Sequence, residues 1–336
     1  MIDKKSKQPT ISEVAAAAGV ARSTVSRAFS QPGRLTAETV NRVLAVAERL
    51  GYTPNPVAQA LSTGRSRNIA LIVPDVANPF FPPLIRAAQR KAEENEFCVF
   101  LGDSDENPDR EQQLLDRFSN QVEGIVLVSP RLPDSAIAHF AKRVPMVLVN
   151  RDLEAVPRVL IDSGEGIEAA VNHLVSLGHQ RVAYVSGPTA SWSNGQRRSH
   201  LRHAADRAGV TIVSISAAKS SFEIGKKSVP KLLSSGTTAC IAFDDLLAQG
   251  ILAGFAEKGV SVPEFFSVVG CDDVLGSTTT PALTTVSNRS ELAGEVAVTL
   301  LMDSLRTHAI RDARHVLGTH LVVRKSTGTM RLPPAN

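Results

Sequence analysis

The chain reads as an all-α helix-turn-helix headpiece followed by an α/β unit of two doubly wound parallel-sheet subdomains. Three observations predict this. Apolar residues recur at helical spacing from Thr10 to Leu50, apolar runs alternate with amphipathic stretches from Asn68 onward, and that alternation comes in two sets. With 336 residues, 43% of them hydrophobic, the chain is long enough for two or three compact units and has the make-up of a soluble globular protein.

The headpiece is taken to span residues 1–52. Thr10 and Glu13 spell a capping box that opens a helix over ISEVAAAA, with Ile11, Val14, Ala15 and Ala18 on one stripe. Gly19 ends it. A second helix is expected over Arg22–Phe29, turning Val25, Ala28 and Phe29 inward, and QPGR breaks it. Thr36 caps a third, in which Val40, Val43, Leu44, Ala47 and Leu50 are expected to face inward and Gly51 forms the C-cap. Residues 53–66 form a linker. Asn55 followed by Pro56 is an N-cap and first-turn pair, so Pro56–Leu61 can form a turn or two of helix. A helix so short is marginal alone in water and forms or melts with its surroundings.

The strands expected next are NIALIVPD (68–75), FCVFLGDS (97–104), GIVLVS (124–129) and PMVLVN (145–150). VLIDS, RVAYVSG, VTIVSIS, ACIAFDD and FSVVGCDD make the second set. Continuous apolar strands alternating with helices imply right-handed βαβ units and sheets covered on both faces. A helix near 289–307 and one strand, HVLGTHLVVR (315–324), follow, so the chain crosses back between the halves. The subdomains are therefore placed at 67–162 plus about 289–318, and at 163–288 plus about 319–336.

The formal charge of +4 is unevenly spread. Residues 1–67 hold ten basic against four acidic side chains, a net +6, whereas the remainder holds 27 against 29, a net −2. Such asymmetry points to a polyanion partner for the N-terminal part. No apolar core follows the lysines of MIDKKSKQPT, and no run approaches the roughly eighteen apolar residues of a membrane span, so a cytoplasmic protein without membrane contact is expected. Cys98, Cys240 and Cys271 are far apart and outside any CxxC spacing, which suggests buried reduced thiols and not a disulfide framework or zinc site.

On the second helix Arg22, Ser23, Ser26 and Arg27 fall at i, i+1, i+4 and i+5 and share one solvent-facing side. Arginines so placed can pair with guanine edges in a major groove, and hydroxyls suit phosphates; the alternative is an ordinary solvated face. Gly164-x-Gly166-x-x-Ala169 follows a strand and opens a helix, as a dinucleotide fingerprint does, but RVAYVSG ends without the acid a ribose requires. His200-x-x-His203 has no third metal ligand, and Ser228-x-x-Lys231 carries Pro230 in its middle and no other hydrolase element. No catalytic constellation, metal or cofactor is expected.

The run TISEVAAAAGVARSTVSRAFSQPGRLTAETVNRVLAVAERLGYTPNPVAQALSTGRS resembles the headpiece and hinge of the LacI-GalR family of repressors nearly residue for residue. VPDVANPFF, FDDLLAQG, GCDD, PALTTV and VVRKSTG resemble its later landmarks, so the likeness covers about residues 9–328. It implies a homodimer on a palindromic operator, with Arg22, Ser23 and Arg27 at base-reading positions and Thr24 and Ser26 beside them. It also implies a hinge helix over Pro56–Ser62 entering the minor groove, where Asn55, Ala58 and Gln59 join Leu61, the apolar wedge that unstacks a base step.

The same resemblance implies a periplasmic-binding-protein-like sensor holding a small sugar or sugar derivative between its halves, at the carboxyl ends of the strands. Polar and aromatic residues gather at those ends, among them Asp75, Asn78, Phe80, Phe81 and Asp103. The effector contacts implied are Asn150, Arg197, Asp244 and Asp272, with Phe80, Arg151 and Trp192 completing the site. Three departures stand out: Ala21 where the family commonly has a capping Ser, Asp244 where many relatives have Asn, and His200 in place of a common Gly. A repressor released by its effector is the expected function. Co-repression on the same architecture, and a solute-binding module without DNA function, are the alternatives.

Overall fold

A computed structural model describes residues 9–53, 65–274, 276–307 and 312–330. It divides into two compact units, Met1–Arg67 and Asn68–Asn336.

In the first unit α1 (Ile11–Ala18), α2 (Arg22–Ser30) and α3 (Ala37–Leu50) are joined by short turns. The capping box is closed at both ends: the Glu13 amide donates to Thr10 Oγ1 at 3.4 Å and the Thr10 amide to Glu13 Oε2 at 2.6 Å. Gly19 and Gly51 end α1 and α3 at φ of 65° and 67°, a conformation that costs glycine least. The core is small, with Val14, Val25, Val43 and Val46 interleaved with Ala15, Ala18, Ala28 and Ala47, and Phe29 set edge-on to Tyr52 at 5.9 Å. Leu44 and Leu50, expected inside, are exposed. Val46 takes the inward place, because the buried stripe of α3 runs through 43, 46 and 47 and turns 44 and 50 outward.

The second unit begins with β1 (Asn68–Val73), α4 (Phe81–Glu93), β2 (Cys98–Asp103), α5 (Pro108–Phe118), β3 (Gly124–Val128), α6 (Asp134–Ala141), β4 (Met146–Val149) and β5 (Arg158–Asp162). It continues with α7 (Gly164–Ser176), β6 (Arg181–Ser186), α8 (Trp192–Ala208), β7 (Thr211–Ser216), α9 (Phe222–Ser234) and β8 (Ala239–Ala242). Then come α10 (Asp245–Glu257), β9 (Ser267–Asp272), β10 (Thr284–Ser287), α11 (Ser290–Thr307), β11 (Arg314–Gly318) and β12 (Leu321–Val322). The strands form two six-stranded sheets, ordered β11-β5-β4-β3-β1-β2 and β12-β10-β9-β8-β6-β7. All neighbours are parallel except β12, which runs antiparallel to β10. Both faces of each sheet are covered. On β1, Ile69, Leu71 and Val73 enter one core and Ala70 and Ile72 the other. Burying each of the large side chains there contributes about 1.5–3 kcal/mol.

Each lobe also contains a helix pair in near backbone contact. Between α4 and α11 a methyl on Gly294 would lie 2.3 Å from the Leu84 carbonyl; between α9 and α10 one on Gly250 would lie 2.0 Å from the Phe222 carbonyl. Among the described residues the chain passes between lobes at β5–α7, β10–α11 and β11–β12. The stretch expected as one strand over 315–324 is two strands. Its first half extends the first sheet beside β5, its second half pairs with β10 in the other, and Thr319 and His320 leave the ladder to bridge them. Thr319 Oγ1 donates to the Asp162 carbonyl at 3.1 Å, and Ser287 meets His320 Nδ1 at 2.8 Å. A Cβ on Gly166 would strike Val286 at 2.3 Å and Thr319 at 2.7 Å, so the glycine pattern at 164–169 serves this crowded crossing. Cys240 and Cys271 are buried, but Cys98 is exposed, since β2 is an edge strand.

Candidate functional site

In both sheets the first strand of the lobe, β1 or β6, lies between neighbours whose connections wind in opposite directions. This switch point opens a crevice at the carboxyl ends of the strands. Asn78, Phe80 and Phe81 follow β1, Ser129 and Arg131 follow β3, and Asn150 follows β4. From the other lobe come Ser191 and Arg197 after β6, Ser220 after β7, Phe243 and Asp244 after β8, and Asp272 ending β9. All of these line one cavity of about 40 Å³. Pockets that hold small ligands measure roughly 300–1,000 Å³, so the lobes stand closed and admitting a ligand requires them to part. A larger hollow, about 760 Å³, lies at the surface beside Pro82, Arg289 and His320, and among the described residues no buried unpaired polar group faces it.

Each wall is fixed by local hydrogen bonds. Asn78 Oδ1 accepts from the Phe80 amide at 3.0 Å, setting the Phe80–Phe81 edge-to-face pair, and buried Glu111 accepts from the Arg131 and Leu132 amides at 2.9 and 3.2 Å. Burial pushes the Glu111 carboxyl above its ordinary range. Asn150, at φ 54°, accepts from the Ile161 amide at 3.0 Å, and Asp272 carries φ 114°. Positive φ costs non-glycine residues free energy that surrounding contacts must offset. Asp244 is the N-cap of α10 and accepts from the Leu247 amide at 2.9 Å.

The charges are deeply buried. Arg197 Nη2 meets Asp272 Oδ1 at 3.0 Å, its Nη1 donates to the Phe243 carbonyl, and its guanidinium stacks 4.8 Å from the Phe243 ring centre. Its Nε is the one buried side-chain N or O atom among the described residues without a hydrogen-bond partner. Burial raises the pKa of Asp244, opposed by donors from Ser220, Leu247 and Asn78. Burial also raises Asp272 well above the carboxylate range, with Arg197 pulling the other way. Contacts that span the lobes include Asn78 Nδ2 donating to Asp244 Oδ2 at 3.0 Å, Lys219 Nζ 2.5 Å from Asp105 at the rim, and Gln196 Nε2 and His200 Nε2 each 3.3 Å from Asp162 Oδ1.

The structure brings Phe80, Asn150, Arg197, Asp244 and Asp272 to this cavity and leaves two expected residues out. Arg151 is held by Asp134 at 2.7 Å, and Trp192, half-buried at the start of α8, is not in the lining. Glu106, Ser129, Arg131, Ser191, Ser193, Ser220 and Phe243 were not anticipated. Their one signal in the sequence is a position just after an apolar strand, which identifies a loop but not where its side chains reach. In the headpiece Arg22, Ser23 and Arg27 are exposed, Thr24 and Ser26 half-buried, and Ala21 gives α2 no side-chain cap. Asn55, Ala58, Gln59, Leu61 and the expected hinge helix fall outside the described residues. Among the described residues no cluster of three potential metal ligands occurs, and no helix is long and apolar enough to cross a membrane.

A basic helix-turn-helix on one chain with a two-lobed, closing ligand cleft defines the class of ligand-responsive transcriptional regulators. Residues 10–55 match the model of bacterial regulatory proteins of the lacI family, and residues 171–327 match that of a periplasmic binding protein-like domain. The HTH-type transcriptional repressor CytR of Escherichia coli K12 is 31% identical over 334 residues, covering 96% of this chain and 98% of the relative. The chain belongs to the LacI family. Among solved structures, the lac repressor dimer bound to operator and an anti-inducer matches at a TM-score of 0.85 and 26% identity, over 96% of this chain and 100% of that one. The regulator CelR in complex with cellobiose matches at 0.71 and 28%, over 95% and 99%.

Proposed function

We propose that this chain is a cytoplasmic, homodimeric repressor without catalytic activity, released from a palindromic operator by a small carbohydrate-like effector. The observation that carries it is the enclosed polar cavity built from strand ends of both lobes, on a chain that also bears an exposed Arg22–Ser23–Arg27 face. The α2 helix enters the major groove, where Arg22, Ser23 and Arg27 read bases and Thr24 and Ser26 support them. Because Ala21 supplies no cap, amides of the first turn of α2 are available to a backbone phosphate. Asn55, Ala58, Gln59 and Leu61 engage the minor groove. Residues 1–52 act as headpiece, 53–66 as hinge, and 67–162 with about 289–318, against 163–288 with about 319–336, as the moving sensor halves.

The effector is held by Asn150, Arg197, Asp244 and Asp272 against Phe80, with Arg151 and Trp192 reaching it only in a lobe arrangement other than the closed one. Effector binding changes lobe closure and so destabilises the paired hinges. Moving a population from almost all operator-bound to almost all free requires about 5.5 kcal/mol of differential affinity between the two states. Mobility-shift assays on palindromes upstream of neighbouring genes, with and without sugars, test this. A sequence-specific shift weakened by one sugar is expected; no specific shift under any condition overturns the regulator assignment.

A further inference from the structure

Five ionisable side chains line the cleft: Glu106, Arg131, Arg197, Asp244 and Asp272. Both cations are already committed. Arg131 gives Nε and Nη2 to Glu106 and Nη1 to the Ser129 carbonyl, while Arg197 is engaged by Asp272 and the Phe243 carbonyl and has its Nε without a partner. Asp244 is different, because its three donors, Asn78 Nδ2, Ser220 Oγ and the Leu247 amide, are all neutral. Among the described residues no cation forms an ion pair with it. Among these five groups three carboxylates therefore face two guanidiniums, and neither guanidinium is left over to neutralise an incoming anion. What the cleft does offer is acceptor oxygen on Asp244 and Asp272 and, as donors, the unpartnered Arg197 Nε, the Asn150 amide and the lining serine hydroxyls.

We infer that the cleft takes a ligand without negative charge, one that donates hydroxyl or amino hydrogens to Asp244 and Asp272 and presents an oxygen to Arg197 Nε. Sugar phosphates and sugar acids are rejected, and Asp244 is the discriminating residue. The inference rests on the carbohydrate-like effector proposed above and narrows its chemistry. In a dry cleft a like charge repels strongly and a donor to a carboxylate binds well, so one carboxylate decides between two ligands of the same shape.

Titration of the full-length protein with matched sets tests this. The probes are D-ribose, D-ribose 5-phosphate and D-ribonate; D-glucose, glucose 6-phosphate, gluconate and 2-amino-2-deoxyglucose; and cellobiose with cellobionate. At least one uncharged or amino member is expected to bind, with its anionic counterparts at least about tenfold weaker. Asp244→Asn, which keeps an acceptor for the Leu247 amide, is expected to narrow that gap at least about threefold. Three results overturn the inference: an anionic member binding as tightly as its parent, a gap that Asp244→Asn leaves unchanged, or no binding by any uncharged or amino member. The wild-type comparison decides the point even should the variant fold poorly. Specific operator binding, measured on the same samples, reports separately on the regulator assignment, so either can fail alone.

Discussion

The amino-terminal lobe meets the cleft with an amide pair, Asn78 and Asn150, two phenylalanines, and an arginine closed onto its own glutamate. The carboxyl-terminal lobe meets it with Arg197, Asp244 and Asp272, whose charges do not cancel. The two sheets share one strand order. The difference therefore lies in the loops after the strands, where a scaffold shared by both lobes carries amides, phenylalanines and a self-neutralised ion pair on one side and the charge-bearing grip on the other. Recognition by charge belongs to the second lobe, and the first contributes shape and, through Asn78, closure.

Arginine truncation tests that division most severely. Arg197→Ala strands Asp272 in the interior and is expected to cost about 3–5 kcal/mol, together with loss of the effector response in a mobility-shift assay. Arg131→Ala leaves Glu106, which is nearer to solvent, and should cost clearly less; equal losses in urea unfolding would erase the asymmetry. Next come the helix pairs. Gly250→Ala in the second lobe and Gly294→Ala in the first each force backbones apart and are expected to cost about 3 kcal/mol by calorimetry, and a loss below about 1 kcal/mol for either would show that its helices can spread.

A pH series sharpens the role of Asp244. Its folded pKa lies above the unfolded one, so its contribution to stability is fully present below the ordinary carboxylate value and is lost as pH rises through the raised value. The groups around it are Asn78, Ser220, the Leu247 amide, Arg197 and Asp272. Asp244→Asn removes that titration, so the stability difference should move toward the variant as pH rises from the ordinary carboxylate value through the raised one, by about 1.4 kcal/mol for each unit of displacement. A pH-independent difference would contradict this, whatever constant offset the lost bond to Asn78 adds. The smallest effect is expected at the rim: Lys219→Ala breaks a solvent-exposed pair and should leave unfolding midpoints unchanged while weakening the salt dependence of ligand release.

Much of the fold was legible because local rules suffice where one pattern dominates. The capping box at Thr10, the glycines at 19 and 51, and eight of nine apolar strands appear within a residue or two of where periodicity places them; the ninth, expected over 239–245, ends at Ala242 because Asp244 caps the next helix. Four features were not. The strand at 284–287 is short and half threonine, so neither length nor hydrophobicity marks it. The break at Thr319 and His320 is imposed by two sheets competing for one segment, a tertiary effect without a local signature. Leu44, Leu50 and Cys98 are exposed although their residue types favour burial. At the site, residues on strand ends were readable as such, but which side chains converge depends on loop paths. Trp192 and Arg151 sit at strand ends yet lie away from the cavity, while Arg131 and Ser220 reach it.

The split at Thr319 has a consequence for how the molecule is made. Because Arg314–Gly318 completes one sheet and Leu321–Val322 the other, the last strand of both lobes is synthesised within the span of a dozen residues. A ribosome that stalls before them releases a product in which both lobes lack an outer strand. Both lobes of such a product expose an unpaired sheet edge, so an unfinished chain is offered to quality control as a whole and not as one sound lobe with a ragged neighbour.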